Sequence, residues 1–214
     1  MVHPVDYSQG IRPPDPLCRS VHILPRIGPL APRRSYGALT AVGRWWLRLA
    51  GWRVVGELPD VERVVVAVAP HSSNWDFVHA IAAVFALRLR VSFIGKHTLF
   101  EGALGRFMRW VGGLPVDRSR PEGIAETVAA QMRAAPQMWL GVAPEGTRTA
   151  GAPFKSGFYR IAQAAKVPIL PVCIDYRRKV IGVLPLQSAA APVDDGVESV
   201  RRLLITSGCR RDAA

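Results

Sequence analysis

The sequence predicts an α/β fold: a largely parallel or mixed sheet flanked by helices, with an amphipathic helix on its N-terminal side. Three observations carry that expectation. Apolar runs of strand length alternate with segments of helical periodicity along the chain. The runs are continuous rather than alternating, the pattern of strands covered on both faces. Polar clusters with His, Asp, Glu, Arg and Gly follow directly on the runs, and in such sheets ligands bind at the carboxyl ends of strands.

Residues 1–35 carry Pro4, Pro13, Pro14, Pro16, Pro25, Pro29 and Pro32, which stop any helical pattern, and are expected to form a flexible tail. A single domain is expected over 36–214. Its first part, 36–56, reads as a docking helix, because Leu39, Val42, Trp45, Trp46, Leu49 and Trp52 recur at helical spacing with Arg44 and Arg48 on the flanks. That composition suits packing on the core and seating in a lipid headgroup layer alike, since tryptophan and arginine both find partners there. The β-branched run 64–69 predicts a strand ending at Pro70-His71. A helix over 75–87, a strand over 91–94, a helix over 104–111 and a short extended piece over 113–116 follow. The rest reads as a helix over 122–134, a strand over 137–142, a helix over 156–165, a strand over 169–174 and an amphipathic helix over 193–205.

At 214 residues, with 49% apolar residues and a net charge of +12, the chain has enough apolar sequence for a substantial core and a strong bias toward anionic partners. Charge alone does not separate nucleic acid from anionic lipid or a phosphorylated substrate. Cys18, Cys173 and Cys209 lack the close pairing of a zinc site or a disulfide framework, so a reducing cytoplasm and no metal are expected. His79 and His97 have no second ligand at metal spacing. No secretory signal is recognisable, and the apolar runs 61–70 and 78–87 stop well short of the roughly 20 residues that cross a bilayer. A peripheral membrane protein on the cytoplasmic face is the expectation.

The cluster Pro70-His71-Ser72-Ser73-Asn74-Trp75-Asp76 stands between a strand and a helix. On one continuous helix, residues five apart would point about 140° away from each other. His71 and Asp76 meet only if the histidine lies on the loop and the aspartate in the first helical turn. A carboxylate bonded to one imidazole nitrogen then leaves the other free to take a proton, as in a Ser-His-Asp triad without the serine. The same spacing also fits a turn histidine followed by a helix-capping aspartate. In Pro144-Glu145-Gly146-Thr147-Arg148, Gly146 lets backbone approach a ligand and Thr147 and Arg148 are phosphate donors; a plain turn with a Glu145–Arg148 ion pair fits as well. Arg118 and Lys96 are further cations just beyond extended segments.

Together these residues resemble the 1-acylglycerol-3-phosphate acyltransferase family of glycerolipid and lysophospholipid acyltransferases, over roughly 45–176. His71 through Asp76 is similar to the family's H-x-x-x-x-D motif, Gly113 through Arg118 to its second motif, Pro144 through Arg148 to its third, and Val167-Pro168-Ile169-Leu170-Pro171-Val172 to its fourth. The resemblance implies an acyltransferase domain in which His71 is the base and Asp76 orients it. It also implies that Glu145, Gly146, Thr147 and Arg148, with Arg118 and Lys96, hold the acceptor's phosphate. The implied partners are an acyl-CoA or acyl-carrier-protein co-substrate, a lysophospholipid acceptor and an anionic membrane surface, with no resident cofactor. The rival readings are the same chemistry on another acceptor, such as glycerol 3-phosphate or a different lysolipid, and a non-catalytic basic membrane-binding module. No nucleic-acid partner is expected, because no recognisable nucleic-acid motif accompanies the charge.

Overall fold

The computed structural model describes residues 24–70, 73–116, 123–146 and 152–207, with the main chain alone at position 96. Within them the elements run α1 (Ala38–Ala50), β1 (Arg53–Val55), β2 (Arg63–Ala69), α2 (Asn74–Leu87), β3 (Val91–Lys96), a 3-10 turn (His97–Phe100), α3 (Gly102–Trp110), β4 (Gly113–Val116), α4 (Ile124–Ala134), β5 (Met138–Val142), α5 (Gly157–Ala165), β6 (Ile169–Asp175), β7 (Val180–Val183) and α6 (Val193–Thr206). The strands form one mixed sheet in the order β1-β7-β6-β2-β5-β3-β4. β2 to β6 are mutually parallel; β7 runs antiparallel to β6, and β1 follows β7.

The continuous apolar character of β2 has the physical reason expected of it. Val64 and Val66 face a core shared with Leu47 of α1 and Ala82, Ala83 and Ala86 of α2. Val65, Ala67 and Ala69 face the opposite core, shared with Met132 of α4, Phe158 and Ile161 of α5 and Leu204 of α6. Side chains alternate across a strand, so a strand covered on both sides must be apolar at every position. The C-terminal end of α3 joins the α1–α2 side, where Trp110 packs against Phe85 and Tyr36.

α1 lies close over α2. At Gly43 a Cβ would stand 2.6 Å from the Ala82 carbonyl oxygen, so glycine permits the approach of the two backbones. α2 starts at a capping box: Ser73 Oγ accepts from the Trp75 N–H at 3.2 Å, and Asp76 Oδ2 accepts from the Ser73 N–H at 2.7 Å.

The structure departs from the sequence expectations in three places. Residues 24–35 are packed rather than a free tail: Ala31 is buried, the Arg34 N–H donates to Arg88 O at 2.9 Å, and the Arg90 N–H donates to Pro32 O at 2.8 Å. Proline stops a helix but leaves extended backbone able to pair through its other groups. β1 and β7 were not expected; they are three and four residues long, too short for a periodic signal. Cys173, buried on β6, is disulfide-bonded, against the expectation of unpaired cysteines. Pairing across a long separation leaves no trace in local spacing.

Candidate active site

The five parallel strands bring their carboxyl ends to one edge of the sheet. Ala69 of β2 is level with Cys173 of β6, Ala67 with Val142 at the end of β5, and Lys96 at the end of β3 with Val116 at the end of β4. Each polar cluster singled out in the sequence begins within a few residues of one of these ends. His71, Arg118, Thr147 and Arg148 lie outside the described residues, and at Lys96 only the main chain is described. Asp76, Glu145 and Gly146 are described, and all three stand at this edge.

Asp76 is 1% exposed, in the first turn of α2 as the sequence required. It does cap the helix, through Oδ2. Its other oxygen, Oδ1, accepts a hydrogen bond from the Tyr176 hydroxyl at 2.5 Å. Tyr176 directly follows β6, the sheet neighbour of β2, so the fold joins residues 100 apart in sequence. Burying a carboxylate is costly unless donors meet it, and Asp76 has one from a main-chain amide and one from a phenol.

One helical turn beyond Asp76, His79 is buried among aromatic rings. The Trp46 indole N–H donates to its Nδ1 at 3.3 Å, the Trp52 ring stacks on it with centroids 4.2 Å apart, and the Tyr176 ring meets it edge-on at 5.9 Å. Accepting at Nδ1 fixes the neutral tautomer with its proton on Nε2. Burial pushes the His79 pKa below its ordinary value, with the Asp76 charge opposing the shift. Trp46 also stacks parallel to Trp75, with centroids 6.3 Å apart. His79 and Tyr176 are the neighbours of Asp76 that sequence reading missed. The available signals were the i, i+3 spacing of Asp76 and His79 and the position of Tyr176 at a strand end.

After β5, Glu145 is 4% exposed, and Gly146 adopts φ 63° as its N–H donates to Ala143 O at 3.1 Å. That left-handed conformation is why glycine stands there. The Lys155 N–H donates to Pro144 O at 2.8 Å, and its side chain lies over the turn: a Cβ on Gly146 would fall 3.0 to 3.3 Å from Lys155 Cδ, Cε and Nζ. The fold therefore adds an ammonium to a loop whose own sequence supplies Thr147 and Arg148.

A protein-family model described as Acyltransferase matches residues 53–175, more than half of the chain. A 1-acyl-sn-glycerol-3-phosphate acyltransferase of Salmonella typhimurium is 32% identical over 114 residues, which cover 51% of this chain and 46% of that protein. The enzyme of the same description from Escherichia coli is 34% identical over 116 residues, with the same shares covered. The chain spans about half the length of these curated relatives. The crystal structure of the 1-acyl-sn-glycerophosphate acyltransferase PlsC from Thermotoga maritima superposes with a TM-score of 0.59 at 17% identity, covering 82% of this chain and 80% of that one, a likeness of fold.

Proposed function

The chain belongs to the acyltransferase family, and on that premise we propose that it moves a fatty acyl group from acyl-CoA or acyl-carrier protein to the hydroxyl of a lysophospholipid, converting 1-acylglycerol 3-phosphate to phosphatidic acid. The observation that carries this reading is the shared strand edge within the matched region, on which the segments leading to His71, Asp76, Lys96, Arg118 and Glu145 to Arg148 converge.

In this reading His71 takes the proton of the acceptor hydroxyl as that oxygen attacks the thioester carbonyl carbon. The tetrahedral intermediate collapses with cleavage of the C–S bond, and His71 returns the proton to the departing thiolate. Ester and free thiol leave, and the proton and electron pairs balance without a metal or resident cofactor. Asp76 orients His71 and stabilises its imidazolium. Arg148, with Gly146 and Thr147 in a turn that buried Glu145 supports, binds the acceptor's phosphate, assisted by Arg118, Lys96 and Lys155. Several cations around one dianion offset its desolvation, and a guanidinium pairs with it through two parallel hydrogen bonds.

The acceptor is a membrane lipid, so the enzyme must reach a bilayer. No helix among the described residues is long and apolar enough to cross one. Two helices on one side of the sheet carry exposed apolar groups beside arginines: Val42, Trp45 and Leu49 with Arg44 and Arg48 on α1, and Leu104, Phe107 and Trp110 with Arg106 and Arg109 on α3. Rings that seat among headgroups, with cations that attract anionic lipid, support peripheral docking. We assign it to the cytoplasmic face, where the thioester donors are found.

The test is incubation of the purified chain with labelled acyl-CoA or acyl-carrier protein and lysophosphatidic acid, beside a folded His71→Ala variant. Labelled phosphatidic acid from the wild type, falling about a hundredfold or more in the variant, is the expected result. Equal product from both proteins would overturn the assigned base. No product with any lysolipid or donor would overturn the activity.

A further inference from the structure

We propose that Tyr176 is a positioning residue of the acyl-transfer site: its hydroxyl holds the Asp76 carboxylate in the plane from which Asp76 orients His71. The inference rests on the reading of His71 and Asp76 above and adds a residue outside the four sequence motifs.

A helix cap needs one carboxylate oxygen, and Oδ2 serves it by accepting from Ser73 N–H at 2.7 Å. The Tyr176 hydroxyl, 2.5 Å from Oδ1, is therefore beyond what capping requires. The two donors come from different elements, the loop before α2 and the turn after β6. Rotation of the carboxylate about its Cβ–Cγ bond breaks at least one of them. An orienting carboxylate is useful only when its own rotation is restrained.

Tyr176 is itself held. It opens the turn between β6 and β7, where buried Asp175 accepts from the Arg178 N–H at 3.0 Å. Trp52 meets its ring edge-on, with centroids 5.1 Å apart at 89°. A phenol so fixed offers its O–H along one direction.

Two consequences separate this role from simple satisfaction of a buried charge. The carboxylate that loses its donor swings more freely, so fewer enzyme molecules present His71 correctly and kcat falls while substrate binding does not. The carboxylate also carries more negative charge toward the imidazole, which stabilises the imidazolium, so His71 releases its proton at higher pH.

The experiment compares the full chain with Tyr176→Phe, alone and combined with Asp76→Asn, on the same donor and acceptor. Expected are a kcat about tenfold lower with KM for both substrates within about twofold, an acidic limb of kcat/KM moved to higher pH, and a melting temperature lower by about 5 °C with the chain still folded at the assay temperature. In the Asp76→Asn background the second substitution should cost nothing further, because coupled residues are not additive. An unchanged kcat and acidic limb would overturn the proposal. So would a loss accounted for by the unfolded fraction, or a loss that multiplies undiminished in the Asp76→Asn background. A wild type that makes no ester with any acceptor overturns the acyltransferase reading and this inference together, whereas an active wild type indifferent to Tyr176→Phe overturns this inference alone.

Discussion

Trp46 donates its indole N–H to Nδ1 of His79 at 3.3 Å, tying the exposed helix α1 to the helix that carries Asp76. Trp46→Phe keeps an aromatic ring and removes the donor, leaving the buried acceptor unmet. A loss of about 1–2 kcal/mol is expected in urea unfolding, the cost typical of an orphaned buried polar atom. An unchanged midpoint at unchanged slope would show that the bond contributes nothing.

The same histidine sets a pH dependence. Burial holds its folded pKa below the ordinary 6.5, so on acidification the unfolded chain takes up the proton first. The stability contributed by neutral His79 is fully present above 6.5 and is lost as pH falls from there toward the folded value. Unfolding free energies measured between pH 8 and 5 should decline toward acid, and His79→Gln, which keeps an acceptor for Trp46, should flatten the decline. Parallel curves for the two proteins would remove His79 as the cause.

Gly43 sets how close α1 can come. Gly43→Ala places a Cβ 2.6 Å from a main-chain oxygen of α2, an atom that cannot swing aside. Alanine favours an isolated helix by about 1 kcal/mol over glycine, yet here overpacking should prevail and destabilise the fold by about 1–3 kcal/mol. A more stable variant by thermal melting would mean that the helices separate at little cost.

These contacts mark the limit of what the sequence discloses. β2 was legible because burial on both faces demands an apolar residue at every position from Val64 to Ala69. The start of α2 was legible only in part: a helix-capping Asp76 was one of the two readings its spacing allowed, whereas Ser73 as the reciprocal cap emerges only in the fold. The first-turn position of Asp76 was the condition that helical geometry sets for His71 and Asp76 to meet, and the aspartate fulfils its half. Tyr176 was not legible as its partner, because the bond joins residues 100 apart and depends on β6 lying beside β2. Lys155 was left without a role for the same reason: that its side chain lies over Gly146 is set by the fold and not by local sequence. His79 read as an ordinary core residue, and the rings that surround it come from α1, α2, the residue before β1 and the end of β6.

The Trp46–His79 bond also decides which tryptophan can test membrane docking. The adjacent tryptophans of α1 look equivalent in sequence, but Trp46 is half-buried and bonded within the fold, whereas Trp45 is 61% exposed. Replacing Trp46 with Ser would disturb the packing around His79 and confound any lipid measurement. Trp45→Ser removes only an outward ring, and on α3 Phe107→Ser removes an exposed ring that also stacks on Trp110. Withdrawing roughly 60–80 Å² of apolar ring from a lipid interface costs about 1.5–2 kcal/mol, which is a ten- to thirtyfold drop in partitioning. Cosedimentation with vesicles containing phosphatidylglycerol should therefore weaken by about that factor for each variant while melting temperatures hold. Raised salt should weaken binding of all forms through Arg44, Arg48, Arg106 and Arg109. If Trp45→Ser weakens binding and Phe107→Ser does not, α1 alone faces the bilayer; if neither does, the apolar residues of both helices serve something other than lipid.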